Sequence, residues 1–137
     1  MSEQITIEAE IKKDTKDVWN FYNSPEHIIN WNFASPDWHC PKSEVDLRVG
    51  GKFCSRMEAK DGSFSFDFEA IYDDVVQYNK VAYTMPDGRK VITHFQSLGS
   101  STKLVTVFDP ETTHPVDFQK AGWEAILNNF KVYAESK

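Results

Sequence analysis

Apolar and polar residues alternate at the start of the chain, whereas apolar residues near its end recur with helical spacing. Residues 5–11 read Ile-Thr-Ile-Glu-Ala-Glu-Ile, and this period of two predicts a half-buried β-strand. Between residues 123 and 134, apolar side chains fall at i, i+3, i+4 and i+7, which predicts an amphipathic helix. Pro115 is a suitable start for that helix.

Two short helices are predicted directly after the first strand. Asp14 and Thr15 offer side-chain oxygens that can cap a helix N-terminus, and Asp17 lies in the first turn, where an acidic group is favourable. The run Asn23-Ser24-Pro25 interrupts this helix, and Pro25 suits the first position of a second one.

An antiparallel sheet is predicted over the middle of the chain. Strand-forming residues dominate from about Ser43 to Phe108. Turns are predicted at Gly50-Gly51, Asp61-Gly62, Asp87-Gly88 and Gly99-Ser100. Residues 32–41, which hold Trp38, His39 and Cys40 between two prolines, are predicted to form a loop.

The turn at Asp61-Gly62 predicts a specific hairpin register. Asp-Gly favours a two-residue type I′ turn, and residues whose numbers sum to 123 would then face each other. The predicted pairs are Phe53–Ala70, Ser55–Phe68, Met57–Phe66 and Ala59–Phe64 on one face, with Arg56–Asp67 and Glu58–Ser65 on the other. Opposite charges at Arg56 and Asp67 favour this register, and a slip of one residue would turn the phenylalanines into water.

A second hairpin is predicted at Asp87-Gly88 by the same reasoning. Tyr83 would oppose Ile92 and Val81 would oppose His94, so this register turns His94 toward the inner, apolar face. Pro86 could widen the turn, and the opposite face is not clearly polar.

An apolar sheet face has to be covered, and the C-terminal helix is the large element that can cover it. The inner residues are bulky and would hold that helix away from a curved sheet: Phe53, Met57, Phe66, Phe68, Tyr83 and Trp123. The pattern leaves open whether the space between sheet and helix is hollow or filled by the rings.

Charge and composition exclude several function classes. The chain has 21 acidic and 15 basic residues and a net charge of −6, which disfavours nucleic acid as a partner. No apolar segment approaches the length of a membrane span, so membrane insertion is not expected. The N-terminal Met-Ser-Glu-Gln lacks the pattern of a signal peptide, so we expect a cytoplasmic location.

Three motifs resemble a known family. They are the Thr15–Trp19 helix followed by Ser24-Pro25-Glu26-His27 and Trp31, the stretch Asp46–Phe53 with its Gly-Gly-basic-aromatic sequence, and the Gly122–Phe130 helix. Together they resemble the START-like superfamily, most closely the family named for the C-terminal domain of the activator of the heat-shock-protein-90 ATPase.

The resemblance implies an α+β helix-grip fold, with a curved antiparallel sheet wrapped on a long C-terminal helix and two short helices after strand 1. It spans residues 1–137 as a single domain. It also implies an apolar cavity between sheet and helix that binds hydrophobic molecules. Chaperone activation ranks behind ligand binding, because we expect no separate N-terminal domain of the kind that a chaperone activator carries.

The sequence offers few candidates for chemistry. His39 next to Cys40 is not a metal-ligand spacing, and Cys54 lacks an evident histidine partner, so no metal, cofactor or catalytic residue is predicted. His94 could be a general base, a hydrogen-bond partner of a ligand, or a core histidine.

The leading prediction is a module that binds a hydrophobic small molecule. The predicted ligand-binding residues are Trp31, Trp38, Phe53, Met57, Phe66, Phe68, Tyr83, His94 and Trp123. The alternatives are an enzyme of polyketide cyclase or hydrolase type that uses His94, and a protein–protein module related to chaperone activation.

Overall fold

The computed structural model describes residues 4–137 and forms one curled sheet around a long helix. Residues 1–3, which carry most of the signal-peptide argument, lie outside the described residues. The elements are β1 (Ile5–Ile11), α1 (Thr15–Asn23), α2 (Pro25–Ile28), β2 (Trp38–Val45), β3 (Lys52–Ala59), β4 (Ser65–Val76), β5 (Lys80–Thr84), β6 (Lys90–Ser97), β7 (Thr102–Phe108) and α3 (Val116–Glu135).

The sheet has seven antiparallel strands in the order β1-β7-β6-β5-β4-β3-β2, and it curls as a half-barrel over α3. The predicted helix-grip architecture is thereby confirmed. The end of α3 is fixed to the residue directly after β1 by a hydrogen bond of 2.9 Å, which the Lys12 backbone N–H donates to a Glu135 carboxylate oxygen. That the chain is a single domain stays a prediction.

The helix ends follow the capping residues. Asp14 caps α1 by accepting a 2.9 Å hydrogen bond from the backbone N–H of Asp17. Pro25 occupies the first turn of α2, and Pro115 immediately precedes α3. The predicted starts of all three helices are therefore confirmed.

The β3–β4 hairpin has the predicted register but a different turn. Phe53 pairs with Ala70, Met57 with Phe66, and Arg56 with Asp67, as the sum of 123 requires. Type I′ geometry needs a positive φ at both central residues, and of these two Gly62 alone has one, at 78°. The loop instead spans residues 60–63. A four-residue loop has the same centre as a two-residue loop, so the register is unchanged.

The predicted register of the β5–β6 hairpin is wrong by one residue. Tyr83 pairs with Val91 and Val81 with Thr93, because Pro86 widens the turn to a three-residue loop. The backbone N–H of Gly88 donates to the Met85 carbonyl at 2.9 Å, and Gly88 takes a φ of 92°. The inner face of β6 therefore carries its odd-numbered residues, and His94 is exposed on the outer face.

The predicted loop over residues 32–41 is also wrong at its C-terminal end, because β2 already begins at Trp38. Pro41 within this strand disfavoured a strand assignment, since proline cannot donate a backbone hydrogen bond. The structure accommodates it because β2 is an edge strand and has an irregular register between His39 and Lys42.

The packed core lies where β1, β7 and β6 meet α1 and α3. Ile11, Val18, Leu104, Phe108 and Phe130 are fully buried there. In the described residues no helix has the length and apolar character needed to cross a membrane.

Candidate functional site: a cavity between the sheet and the C-terminal helix

A cavity of about 340 Å³ lies between the inner face of the sheet and α3. Its volume is at the lower end of the range of about 300–1,000 Å³ typical of small-molecule sites. The lining residues are Ile7, Tyr22, Asn23, Ile28, Trp31, Asn32, Phe53, Met57, Phe66, Phe68, Tyr72, Val81, Tyr83, Arg89, Thr106, Trp123, Ile126, Leu127 and Phe130.

Aromatic rings on β3, β4 and β5 form one wall of the cavity. Alternation along the strands points Phe53, Phe68 and Tyr83 to the same face. The ring centre of Phe53 lies 5.9 Å from that of Phe68 and 5.7 Å from that of Tyr83. These edge-on and tilted contacts fix the rings without filling the space beside α3. Phe66 is 42% exposed, so the wall reaches solvent at that point.

Trp123 forms the opposite wall from α3. Its ring stacks on Phe108 with centres 4.1 Å apart, and it meets Phe68 edge-on at 6.4 Å. The contact with Phe108 joins α3 to the packed core, and the contact with Phe68 joins α3 to β4. The ring therefore acts as a spacer between the helix and that part of the sheet.

Residues of α1 and of the segment that follows α2 close one end of the cavity. Trp31 is buried, stacks on Tyr22 at 5.3 Å, and donates its indole N–H to the Phe21 carbonyl at 3.1 Å. Its polar atom is therefore satisfied by the protein, and the ring presents only apolar surface. The amide of Asn32 adds a polar group nearby and donates to the Met57 sulfur at 3.8 Å.

Three tyrosine side chains line the cavity, and two of them have free hydroxyl groups. The Tyr22 hydroxyl lies 3.4 Å from Thr93 Oγ1. The hydroxyls of Tyr72 and Tyr83 bond to no other described residue, yet no buried side-chain nitrogen or oxygen in residues 4–137 lacks a partner. These two oxygens therefore keep some accessible surface, and both side chains line the cavity. Burial raises the pKa of both tyrosines, so their hydroxyls stay protonated and can donate.

Arg89 is the one charged side chain in the described lining. It lies two residues before Val91 and shares the inward direction of the odd-numbered residues of β6. Its Nε donates to an Asp87 carboxylate oxygen at 2.7 Å. Arg89 also lines a second, more open depression together with Trp123 and Ile126; we call this depression the outer groove.

The structure places most, but not all, of the predicted site residues at the cavity. Trp31, Phe53, Met57, Phe66, Phe68, Tyr83 and Trp123 line it. Trp38 and His94 do not. Trp38 starts an edge strand and contacts Phe64 and Phe66 at the end of the β3–β4 hairpin, with ring centres 5.9 and 6.1 Å apart. His94 faces outward because of the one-residue register shift. Ligand contact by the residues that do line the cavity stays a prediction.

Sequence reasoning missed Tyr22, Tyr72 and Arg89. Tyr72 could have been found, because it continues the alternation of Phe66 and Phe68 along β4. Arg89 could not, since the assumed two-residue turn gave it the wrong face.

The two cysteines do not form a reactive centre. Burial, together with the nearby carboxylates of Asp67 and Glu69, raises the pKa of the Cys54 thiol and disfavours the thiolate. Cys40 is buried, and burial raises its pKa as well. The described cavity lining contains no histidine, carboxylate or thiol.

Comparison with known families agrees with this architecture. The family model described as activator of Hsp90 ATPase homolog 1-like protein matches residues 14–135, which is nearly the whole chain. The chain belongs to this family. The AHSA1-like protein from Aeromonas hydrophila has a similar structure, with 45% sequence identity and a TM-score of 0.92 over 98% of this chain and 93% of that one.

Two further solved structures extend the similarity of this AHSA1-like chain. A protein from Cytophaga hutchinsonii is 47% identical, with a TM-score of 0.85 over 97% of this chain and 92% of its own. A protein from Chromobacterium violaceum is 19% identical, with a TM-score of 0.87 over 97% and 98% of the two chains, and supports the fold alone. No curated protein matches the chain.

Proposed function

We propose that this protein binds a hydrophobic small molecule in the cavity between the sheet and α3. The observation that carries the proposal is the lining itself, which is mostly aromatic and aliphatic with a few polar groups at defined positions. This is the usual composition of small-molecule sites.

The energetics favour an occupant. The cavity reaches solvent at Phe66, so water has access to its mostly apolar wall when no ligand is bound. The space has to be occupied by solvent or by a ligand. An apolar ligand that replaces solvent gains about 2.5 kcal/mol for each 100 Å² of apolar surface removed from water.

A titration with N-phenyl-1-naphthylamine tests the proposal, because this neutral apolar dye fluoresces when it leaves water. We expect saturable binding of one dye per chain. Ile126→Trp, which enlarges a lining side chain on α3, should weaken binding. Val132→Trp makes a comparable change at a position that is 70% exposed on the same helix and should not. The absence of saturable binding, or equal effects of the two variants, would contradict the proposal.

Native mass spectrometry of protein purified from its own cells is the complementary measurement. A bound molecule should appear as a discrete added mass that is lost on collisional activation, and its mass begins the identification of the ligand. A cytoplasmic location remains a prediction and is tested by fractionating the same cells.

Catalysis of cyclase or hydrolase type is less well supported than binding. That alternative required His94 to face the cavity, and His94 is exposed on the outer face of β6.

Chaperone binding is the second candidate function, favoured by the family description and by an exposed aromatic cluster. The cluster consists of Trp38, Phe64 and Phe66, and Phe64 is 60% exposed. If the cluster contacts a chaperone, the protein should stimulate the ATPase of the Hsp90 from its own cells. Phe64→Ser should then reduce the stimulation, and Val132→Ser should leave it unchanged. Equal activity of both variants would exclude the cluster as the contact.

A further inference from the structure

The inner face of the β5–β6 hairpin carries an arginine that lines both the otherwise uncharged cavity and the outer groove. The three-residue loop sets this position, since a two-residue turn would point Arg89 outward and His94 inward. The backbone N–H of Arg89 also donates to an Asp87 carboxylate oxygen at 3.1 Å, which fixes the start of β6.

The guanidinium is only partly used by the protein. Asp87 takes the Nε hydrogen, and neither terminal NH₂ group bonds to any of residues 4–137. Glu111, the acidic residue of the outer groove, is engaged elsewhere: its Oε1 accepts from the backbone N–H of His114 and lies 3.0 Å from the His114 ring Nδ1. Two parallel donors of Arg89 are therefore available to a ligand.

The position is electrostatically unusual for this chain. The net charge is −6, yet the described cavity lining has no acidic side chain and Arg89 is its single cation. The Arg89 side chain is 28% exposed, so water screens it less than a fully exposed charge. Two described carboxylates belong to the surroundings of Arg89, and neither lines the cavity: Asp87 is bonded to the Arg89 Nε, and Glu111 lines the outer groove.

We propose that the ligand is an apolar carboxylate, with its tail among the rings of the cavity and its carboxylate on the terminal NH₂ groups of Arg89. The planar fork of a guanidinium matches a carboxylate with two parallel hydrogen bonds. A volume of about 340 Å³ suits a single chain or one ring system rather than a lipid with two long chains. This inference rests on the proposed binding function and specifies its ligand class.

Competition between decanoate and decan-1-ol for the bound N-phenyl-1-naphthylamine tests the inference, because the two competitors share a tail and differ in charge. At pH 8 decanoate is ionised, since carboxyl groups titrate near pH 4 to 5. We expect decanoate to displace the dye at a concentration at least about tenfold lower than decan-1-ol, as hydrogen bonds to charged groups are the stronger class.

The matched variants are Arg89→Gln and Lys90→Gln, which remove the same charge from adjacent residues that point to opposite faces. Arg89→Gln should abolish the preference for decanoate over decan-1-ol, measured as the ratio of the two displacement concentrations within each variant. Lys90→Gln should preserve the preference. Arg89→Lys, which keeps the charge but loses the fork, should retain an intermediate preference.

The possible results separate this inference from the proposed function. If the dye does not bind at all, both fail. If the dye binds but decan-1-ol competes as well as decanoate, only the assignment of Arg89 fails. A preference for decanoate that Arg89→Gln retains in full, or that Lys90→Gln loses, would also overturn the assignment.

Discussion

Tyr83 is a buried residue that lines the cavity, and its side chain allows a test of how much the cavity wall contributes to stability. Its hydroxyl bonds to no described residue, so Tyr83→Phe removes no protein hydrogen bond. At pH 7 we expect the free energy of unfolding, measured by urea denaturation, to change by less than about 0.5 kcal/mol. A loss of more than about 1 kcal/mol would contradict this, because it would imply a partner within the protein.

At alkaline pH, Tyr83→Phe and the unchanged protein should differ in how steeply the free energy of unfolding falls with pH. Burial raises the pKa of Tyr83 well above 10, so on raising the pH the unfolded chain loses this proton first. The unfolded state then binds fewer protons than the folded state, and stability falls as pH rises above 10. Each such tyrosine contributes up to about 1.4 kcal/mol per pH unit, so Tyr83→Phe should flatten the decline between pH 10 and 11.5. An unchanged slope in urea titrations over this range would show that Tyr83 ionises equally in both states.

Individual site residues were predictable where their strand alternation was secure. Phe53, Met57, Phe66 and Phe68 follow from period two and one charge pair, and all of them line the cavity. The position of Trp38 was not predictable for a different reason. In the sequence this residue lies in a predicted loop between two prolines, and that pattern does not indicate which surface its ring contacts.

Turns are the elements on which the site depends, and the two hairpins show why. Both have Asp-Gly, and neither forms the two-residue turn expected. The four-residue loop at 60–63 keeps the register that a two-residue turn would give. The three-residue loop at 86–88 shifts the register by one residue, so that Arg89 rather than His94 lies on the inner face. Sequence could indicate that each turn exists but not its length, and length decides which side chains meet the cavity.

The backbone at Gly88 offers a direct test of this turn. Its φ of 92° is unfavourable for any residue with a Cβ, although no atom lies within 4 Å of the position that a Cβ would occupy. We therefore expect Gly88→Ala to destabilise the protein by about 1–2 kcal/mol through backbone strain alone.

Gly122→Ala is the matched control, since that site is equally open but lies within α3 and has no positive φ. It should stabilise the protein by about 0.5–1 kcal/mol, because alanine is the better helix former. Urea denaturation of both variants provides the comparison. Equal effects of the two substitutions would show that the strained turn contributes nothing to stability.

At the scale of the whole molecule, the architecture was predictable and the hollow was not. Element order, amphipathic spacing and the need to cover one sheet face lead to a helix held against a curled sheet. Whether rings interlock or leave space depends on sub-ångström packing among residues distant in sequence. Trp123 meets both Phe108 and Phe68, and no local pattern indicates which contact leaves room beside it.

The cavity side and the packed side of the fold should respond differently to the same leucine-to-phenylalanine substitution. Leu127 lines the cavity, whereas Leu104 is fully buried in the core and does not. Leu127→Phe places its added atoms in existing space, so the free energy of unfolding should change by less than about 1 kcal/mol. Leu104→Phe overpacks the core and should lower the free energy of unfolding by about 1–3 kcal/mol. Leu127→Phe should also weaken N-phenyl-1-naphthylamine binding, because the ring occupies volume that the dye needs. Urea denaturation and dye titration of both variants measure the two effects. If the two substitutions were equally destabilising, the space beside α3 would be as tightly packed as the core, and the molecule would have no room for a ligand.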